Sequence, residues 1–194
     1  MNNLSFHITD ITANSIRANA SEIGLSVEEQ DTRIVIRITD NGLGMDAETA
    51  RRVTNPFYTT RTTRKVGLGL PFLIQNAEQT GGSLTIRSTE GGGTTVEAVF
   101  RADHIDCPPV GDMGGSITLL LQGAPELELI YTHRLGTDQI GLDTRQLREE
   151  LGETFYVTIG LDGCLSVYSD AKWASLIEKA EALPVTKVRS LRPL

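Results

Sequence analysis

The sequence is poor in cysteine, in positive charge and in uninterrupted apolar stretches. Its 194 residues hold only two cysteines, Cys107 and Cys164. They do not form a C-x-x-C pair and read as ordinary thiols, which removes a disulfide framework and a cysteine-built metal site. No run approaches the roughly 18 apolar residues that a membrane helix needs. The N-terminus, MNNLSFHITDIT, has no basic start leading into an apolar core, so the sequence gives no sign of a signal peptide and points to the cytoplasm, with no membrane partner. Lysine and arginine number 18 against 25 acidic residues, a net charge of −7, which argues against generic nucleic-acid affinity and against DNA as a partner. What remains, 39% hydrophobic and 22% charged, suits one ordinary globular domain with an appendage.

Within that chain the spacing predicts a helix over 4–20, where Leu4, Ile8, Ile11, Ser15 and Ala18 make a small or apolar stripe. Two alternating strands follow, IGLSVEEQ and RIVIRITD, then a short helix DAETARRV with Asp46 as its N-cap. Residues 54–66, rich in threonine and basic side chains, read as a mobile loop. GLGLPFLIQNAEQT enters a helix that Gly81 and Gly82 end, and SLTIRST and TTVEAVFRA form a hairpin across EGGG. Strands paired as hairpins, with helices clustered between them, predict helices on one face of a mixed sheet. After the connector HIDCPPVGDMGG come a helix near 115–122, strands ELELIYTHR and DQIGLDT, and a helix RQLREELG. Strands FYVTIG and LSVYS, joined by LDGC, and a helix AKWASLIEKAEAL complete the chain.

The second strand ends in an unusual way, with DNGLGM at residues 40–45. Taken alone, an acid followed by alternate glycines is turn chemistry. The first helix adds more. His7, Asp10, Asn14 and Arg17 share a polar stripe. The amide oxygen of Asn14, together with phosphate oxygens, would satisfy Mg²⁺; Arg17 can offset phosphate charge; Asp10 can orient or deprotonate a water. His7 reads as a surface residue of that helix. GLGL at 67–70 opens another helix whose N–H groups suit an anion, and the loop before it supplies Arg61, Arg64 and Lys65, in the manner of a lid.

In this order, DITANSIRANA, DNGLGM, NPFYTTR, KVGLGL and GGGTTVEAVF resemble the N, G1, F, G2 and G3 boxes of the GHKL ATPases, which include DNA gyrase B, MutL repair proteins, large heat-shock chaperones and histidine kinases. The resemblance covers residues 7–100 and implies the Bergerat fold: α+β, a two-layer sandwich with helices on one face of a mixed, mostly antiparallel sheet. It implies Mg²⁺ and ATP as cofactors. Asp40 would accept from the adenine amino group, Gly42 and Gly44 would let the backbone pass close to the base, and Thr94 would lie near it. Asn14 would coordinate Mg²⁺, Arg17 would meet the phosphates, and Lys65, Gly67, Leu68 and Gly69 would line the phosphate side. Asp10 stands where hydrolysing members carry Glu, one methylene longer, so ATP binding is better supported than rapid turnover.

Nothing ahead of the first box offers a phosphoacceptor helix, and the remaining length leaves no room for a transducer domain, so the expectation is a stand-alone ATP module. Three parts are expected: 1–103 for ATP, 104–152 as a small α/β extension, and 153–194 as a tail. That tail, from LREELGETFYVTIGLDGCLSVYS onward, resembles half of the transcription regulator MraZ. The expected function is slow ATP hydrolysis or phosphate transfer to an unidentified protein partner, with a homodimer open. The alternatives are a non-catalytic ATP switch or a transcription regulator working through the tail.

Overall fold

The computed structural model describes residues 3–53 and 69–152 in full, and the backbone of 155–159 and 165–169. The chain runs α1 (Leu4–Arg17), β1 (Glu22–Gln30), β2 (Arg33–Asp40), α2 (Ala47–Arg52), α3 (Gly69–Gln79), β3 (Ser83–Ser88), β4 (Thr94–Arg101), α4 (Met113–Gly123), β5 (Glu128–Leu135), β6 (Asp138–Asp143), α5 (Thr144–Leu151), β7 (Phe155–Ile159) and β8 (Leu165–Ser169). The first six strands form one sheet in the order β3-β4-β2-β1-β5-β6. Every neighbouring pair is antiparallel except β1 and β5, which run parallel. β7 and β8 pair by themselves.

Alternation decides which face is covered. Ile23, Leu25 and Val27 on β1, Ile34, Ile36 and Ile38 on β2, and Val96, Ala98 and Phe100 on β4 are all buried. They meet Leu4, Ile8 and Ile11 of α1, Leu73 and Ala77 of α3, and Ile117, Leu120 and Leu121 of α4. The intervening residues (Arg33, Val35 and Arg37 on β2, for example) look out from the other face. The result is the two-layer α+β sandwich that the order of elements predicts.

Helix ends follow local chemistry. Asn3 caps α1 by accepting from the Phe6 N–H, and Asp46 caps α2 by accepting from Thr49. The bond from the Thr49 backbone holds the Asp46 carboxyl below its ordinary range. Two helix boundaries differ from the sequence reading by more than a residue. α1 stops at Arg17 rather than residue 20, because Asn19 takes a left-handed φ of 58° that closes the helix. α4 begins at Met113, ahead of Gly114 and Gly115, because Asp112 caps it by accepting from the Gly115 N–H at 2.8 Å.

Residues 104–152 do not stand apart from what precedes them. β5 lies along β1 from Glu22↔Glu128 to Glu29↔Leu135, and Tyr131 and Leu142 join the common core. At the far end of this junction the Tyr131 hydroxyl sits 2.9 Å from His133 Nδ1, and His133 Nε2 lies 2.6 Å from Glu29 Oε1. Burial, assisted by the Glu29 charge, pushes the Tyr131 phenol well above its ordinary range. Among the described residues, no helix is long and apolar enough to cross a membrane. The expected helix at 171–183 and the LDGC turn lie outside the described residues.

Candidate functional site

Asp40 is the last residue of β2, in register with Ile23 on one side and Thr94 on the other. Its carboxylate is half-buried and held by three donors. The Ser15 hydroxyl donates to Oδ2 at 2.6 Å, and the N–H groups of Gly42 and Thr94 donate to Oδ1 at 3.0 and 3.2 Å. Behind it, Ser88 Oγ lies 2.9 Å from Thr94 Oγ1, accepts from the Met45 N–H at 2.8 Å and donates to the Gly93 carbonyl. One proton arrangement satisfies the whole group, with the Thr94 hydroxyl donating to Ser88.

The loop after Asp40 is clamped on both sides. The Leu43 N–H caps the Ala18 carbonyl at the end of α1 (2.8 Å), and the Leu43 carbonyl accepts from Gly91 in the β3–β4 turn (2.7 Å). This close packing explains the glycines. A Cβ at Gly42 would come within 2.7 Å of the Ala18 oxygen. One at Gly44, where φ is +63°, would come within 1.9 Å of the Thr89 oxygen. Both glycines are thus required by contacts within the protein itself. Asn41 completes the clamp by accepting from the Ser21 and Glu22 N–H groups.

The polar stripe of α1 divides. Arg17 Nη2 donates to the Asn14 amide oxygen, so the atom expected to face Mg²⁺ accepts from Arg17 in this structure. Asp10 lies against the first residue of α3: a Cβ at Gly69 would stand 2.9 Å from Asp10 Oδ2. The N box and the start of the helix that carries GLGL therefore meet at Asp10.

His7 is not a surface residue, contrary to the sequence reading. It is 2% exposed, edge-on to Phe6, with Nε2 3.0 Å from the Asn76 amide nitrogen of α3. Its Nδ1 has no hydrogen-bond partner among the described residues. Periodicity misplaced it because the helical layer wraps α1 with α3 on the side of the polar stripe. Burial lowers the His7 pKa from its ordinary 6.5, an effect that the nearby Asp10 charge opposes. Folding therefore releases a proton from this ring at mildly acid pH. The stability that a neutral His7 permits is complete above about 6.5 and is lost as the pH falls below it. Thermal midpoints of wild type and His7→Gln at pH 7.5, 6.5 and 5.5 check this: the wild type should lose ground to the variant only on the acid side, and parallel curves would overturn it.

Of the residues singled out in the sequence, Asp40, Gly42 and Thr94 are hydrogen-bonded together, and Gly44 packs beside them. Asn14 and Arg17 pair on α1, and Asp10 and Gly69 touch. Lys65, Gly67 and Leu68, with Arg61, Arg64 and the rest of the expected lid, lie outside the described residues. Two participants escaped the sequence reading. Ser15 looked like a small member of the apolar stripe, and Ser88 carried no signal beyond ending a strand.

Asp40 has room to accept from one further N–H group. A carboxylate has four acceptor positions; the three donors on Asp40 leave one, on Oδ2, and the side chain is open enough to be reached. Among the described residues, no group of three or more His, Cys, Asp or Glu could hold a metal ion. A Mg²⁺ here would depend on the single amide oxygen of Asn14 and on phosphate oxygens, the pattern this hard cation accepts.

Comparison with known proteins gives the same outline. Residues 3–104 match the family described as histidine kinase-, DNA gyrase B-, and HSP90-like ATPase, and residues 144–191 match the MraZ protein family. The signal transduction histidine-protein kinase AfsQ2 of Streptomyces coelicolor is 32% identical over 114 residues, 56% of this chain and 21% of the kinase. The transcriptional regulator MraZ of Heliobacterium modesticaldum is 57% identical over 42 residues, 22% of this chain and 29% of the regulator. The chain thus spans less than a third of either relative. In fold it is similar to the N-terminal domain of a DNA repair protein, with a TM-score of 0.51 at 16% identity over 73% of this chain and 52% of that one.

Proposed function

Because the chain belongs to the histidine kinase-, DNA gyrase B- and HSP90-like ATPase family, we propose that it binds Mg·ATP and either hydrolyses it slowly or passes its phosphate to a partner protein, in the manner of a serine kinase. The observation that carries this reading is Asp40, a carboxylate fixed by three donors at the end of β2 with one acceptor position open. Asp40 takes the adenine amino group, and Thr94 steadies it. Gly42 and Gly44 hold the loop in place beside the base. The Asn14 amide oxygen, which here accepts from Arg17, would hold the metal, and Arg17 would offset phosphate charge. Lys65, Gly67, Leu68 and Gly69 line the phosphate side. The bound nucleotide supplies a phosphoryl group whose transfer the site must keep from, or direct to, water. Asp10, against the start of α3, is the base that would hold the proton of the attacking water.

The ATP-binding domain occupies 1–103, the α/β extension 104–152 and the tail 153–194. A second reading rests on the MraZ match at 144–191: a transcription regulator that works through its tail, for which DNA retardation at two salt concentrations is the check. The net charge of −7 weighs against it.

Calorimetry with ATP in the presence of Mg²⁺ or of chelator tests the main reading. Asn14→Ala should weaken the Mg²⁺-dependent affinity by about tenfold and leave the metal-free affinity nearly unchanged, because losing one oxygen ligand does not touch the base pocket. A wild type indifferent to Mg²⁺ would remove Asn14 from the metal. In the same preparations, release of ADP by wild type and Asp10→Glu shows whether the shorter acid limits turnover.

A further inference from the structure

We infer that Ser15 determines the base specificity of the site: by donating to Asp40 it leaves one open acceptor position, enough for adenine and too little for guanine. This rests on the reading of Asp40 as the acceptor for the base.

The count of lone pairs makes the argument. Asp40 Oδ1 is filled by two backbone donors, Gly42 at 3.0 Å and Thr94 at 3.2 Å. Neither can withdraw. Thr94 is held by the β2–β4 register, in which it faces Asp40. Gly42 is held by the loop clamp, which leaves no room even for a methyl group. Oδ2 takes the Ser15 hydroxyl at 2.6 Å, a short charge-assisted bond. The other acceptor within reach of that hydroxyl is the Ile11 carbonyl at 3.4 Å, a poorer one, so the hydroxyl is committed to Asp40. Ser15 is 4% exposed, which keeps water from replacing it.

Adenine presents one exocyclic amino group beside a ring nitrogen that is itself an acceptor. Guanine presents a ring N–H and an amino N–H side by side, a pair that a carboxylate satisfies with one oxygen each. With Oδ1 saturated and Oδ2 half-taken, one of guanine's two N–H groups would be buried without a partner, which is the strongest form of discrimination a polar site can exert. Removing the Ser15 hydroxyl opens the second position on Oδ2, where a single oxygen can share both guanine donors.

The experiment measures ATP and GTP binding, each with Mg²⁺, for wild type, Ser15→Ala and Ser15→Cys. Alanine favours the helix interior, and cysteine keeps the size of serine while donating only weakly. The expected result is a loss of no more than about threefold in ATP affinity, a gain in GTP affinity, and an ATP-to-GTP preference lowered about tenfold in Ser15→Ala, with Ser15→Cys between. If ATP and GTP weaken together and the preference stays fixed, Ser15 only packs α1 against β2 and the inference is overturned while ATP binding stands. A wild type that takes GTP as readily as ATP overturns it as well. A wild type that binds neither nucleotide removes this inference and the ATP reading beneath it.

Discussion

Asp40→Asn is expected to abolish measurable nucleotide binding in a chain that still folds. The two side chains share a shape, so the change lies in what they offer. Two backbone N–H groups point at Oδ1 and fix the amide oxygen there. The amide nitrogen must then take the place of Oδ2. Ser15 can adapt, since a hydroxyl both donates and accepts. The adenine amino group cannot, and it would meet a donor where it needs an acceptor. Losing a charge-assisted bond and leaving a buried donor unpaired together cost about 3 kcal/mol or more, on the order of two hundredfold in affinity. The fold loses less, about 1 to 2 kcal/mol, because neutral bonds replace charged ones to Gly42 and Thr94. Calorimetry and a urea melt on the same sample read both quantities. Unchanged affinity would take Asp40 out of the base pocket.

Gly93→Ala is the largest stability effect expected. Gly93 is buried with φ at +81°, and an added Cβ would lie 1.9 Å from the Asp40 carbonyl oxygen and 3.0 Å from Asn41 Cα. The three nearest atoms all belong to the Asp40–Asn41 backbone, so no flexible side chain can give way. A left-handed alanine alone costs about 1 to 2 kcal/mol; forcing β4 away from the end of β2 should bring the total to roughly 3 to 5 kcal/mol, in the range of severe core disruption. Gly91→Ala supplies the comparison. Its φ is +72°, yet nothing lies within 4 Å of the added carbon, so it should show the conformational cost without the collision. Equal losses at the two positions in denaturant titrations would mean that the approach of Gly93 to Asp40 carries no weight.

Much of this was readable in the sequence because the signals are local. RIVIRITD alternates as a half-buried strand must, and EGGG between two such runs can only turn; β2, β3 and β4 lie within a residue of where the pattern puts them. The five boxes gave the layer order because glycines that brook no side chain are visible one residue at a time. What stayed hidden depends on partners distant in the chain. His7 lies on the polar side of α1 by spacing, and only the arrival of Asn76 on α3 buries it. Ser15 looks like a filler until β2 brings Asp40 to it, 25 residues away. Nothing in ELELIYTHR says that, besides its hairpin with β6, it will lie parallel to β1, because register across a sheet is set by three-dimensional closure.

That parallel pairing has a consequence in time. β1 pairs with β2 as soon as the turn between them is made, but its other edge waits for β5, whose Glu128 faces Glu22 across more than a hundred residues of chain. At about 5 to 20 residues per second, synthesis alone keeps that edge uncovered for roughly 5 to 20 s, far longer than a hairpin takes to close. During the wait Leu25 and Val27, core residues in the finished molecule, belong to a strand with open hydrogen-bonding groups, the kind of template on which other chains can add. The segment after residue 104 therefore acts as a late closure for the part that precedes it. A chain cut at that point would keep the residues matched to the ATPase family and lose the strand that shields β1, so its yield of monomer should depend on how fast it is made and how crowded its surroundings are.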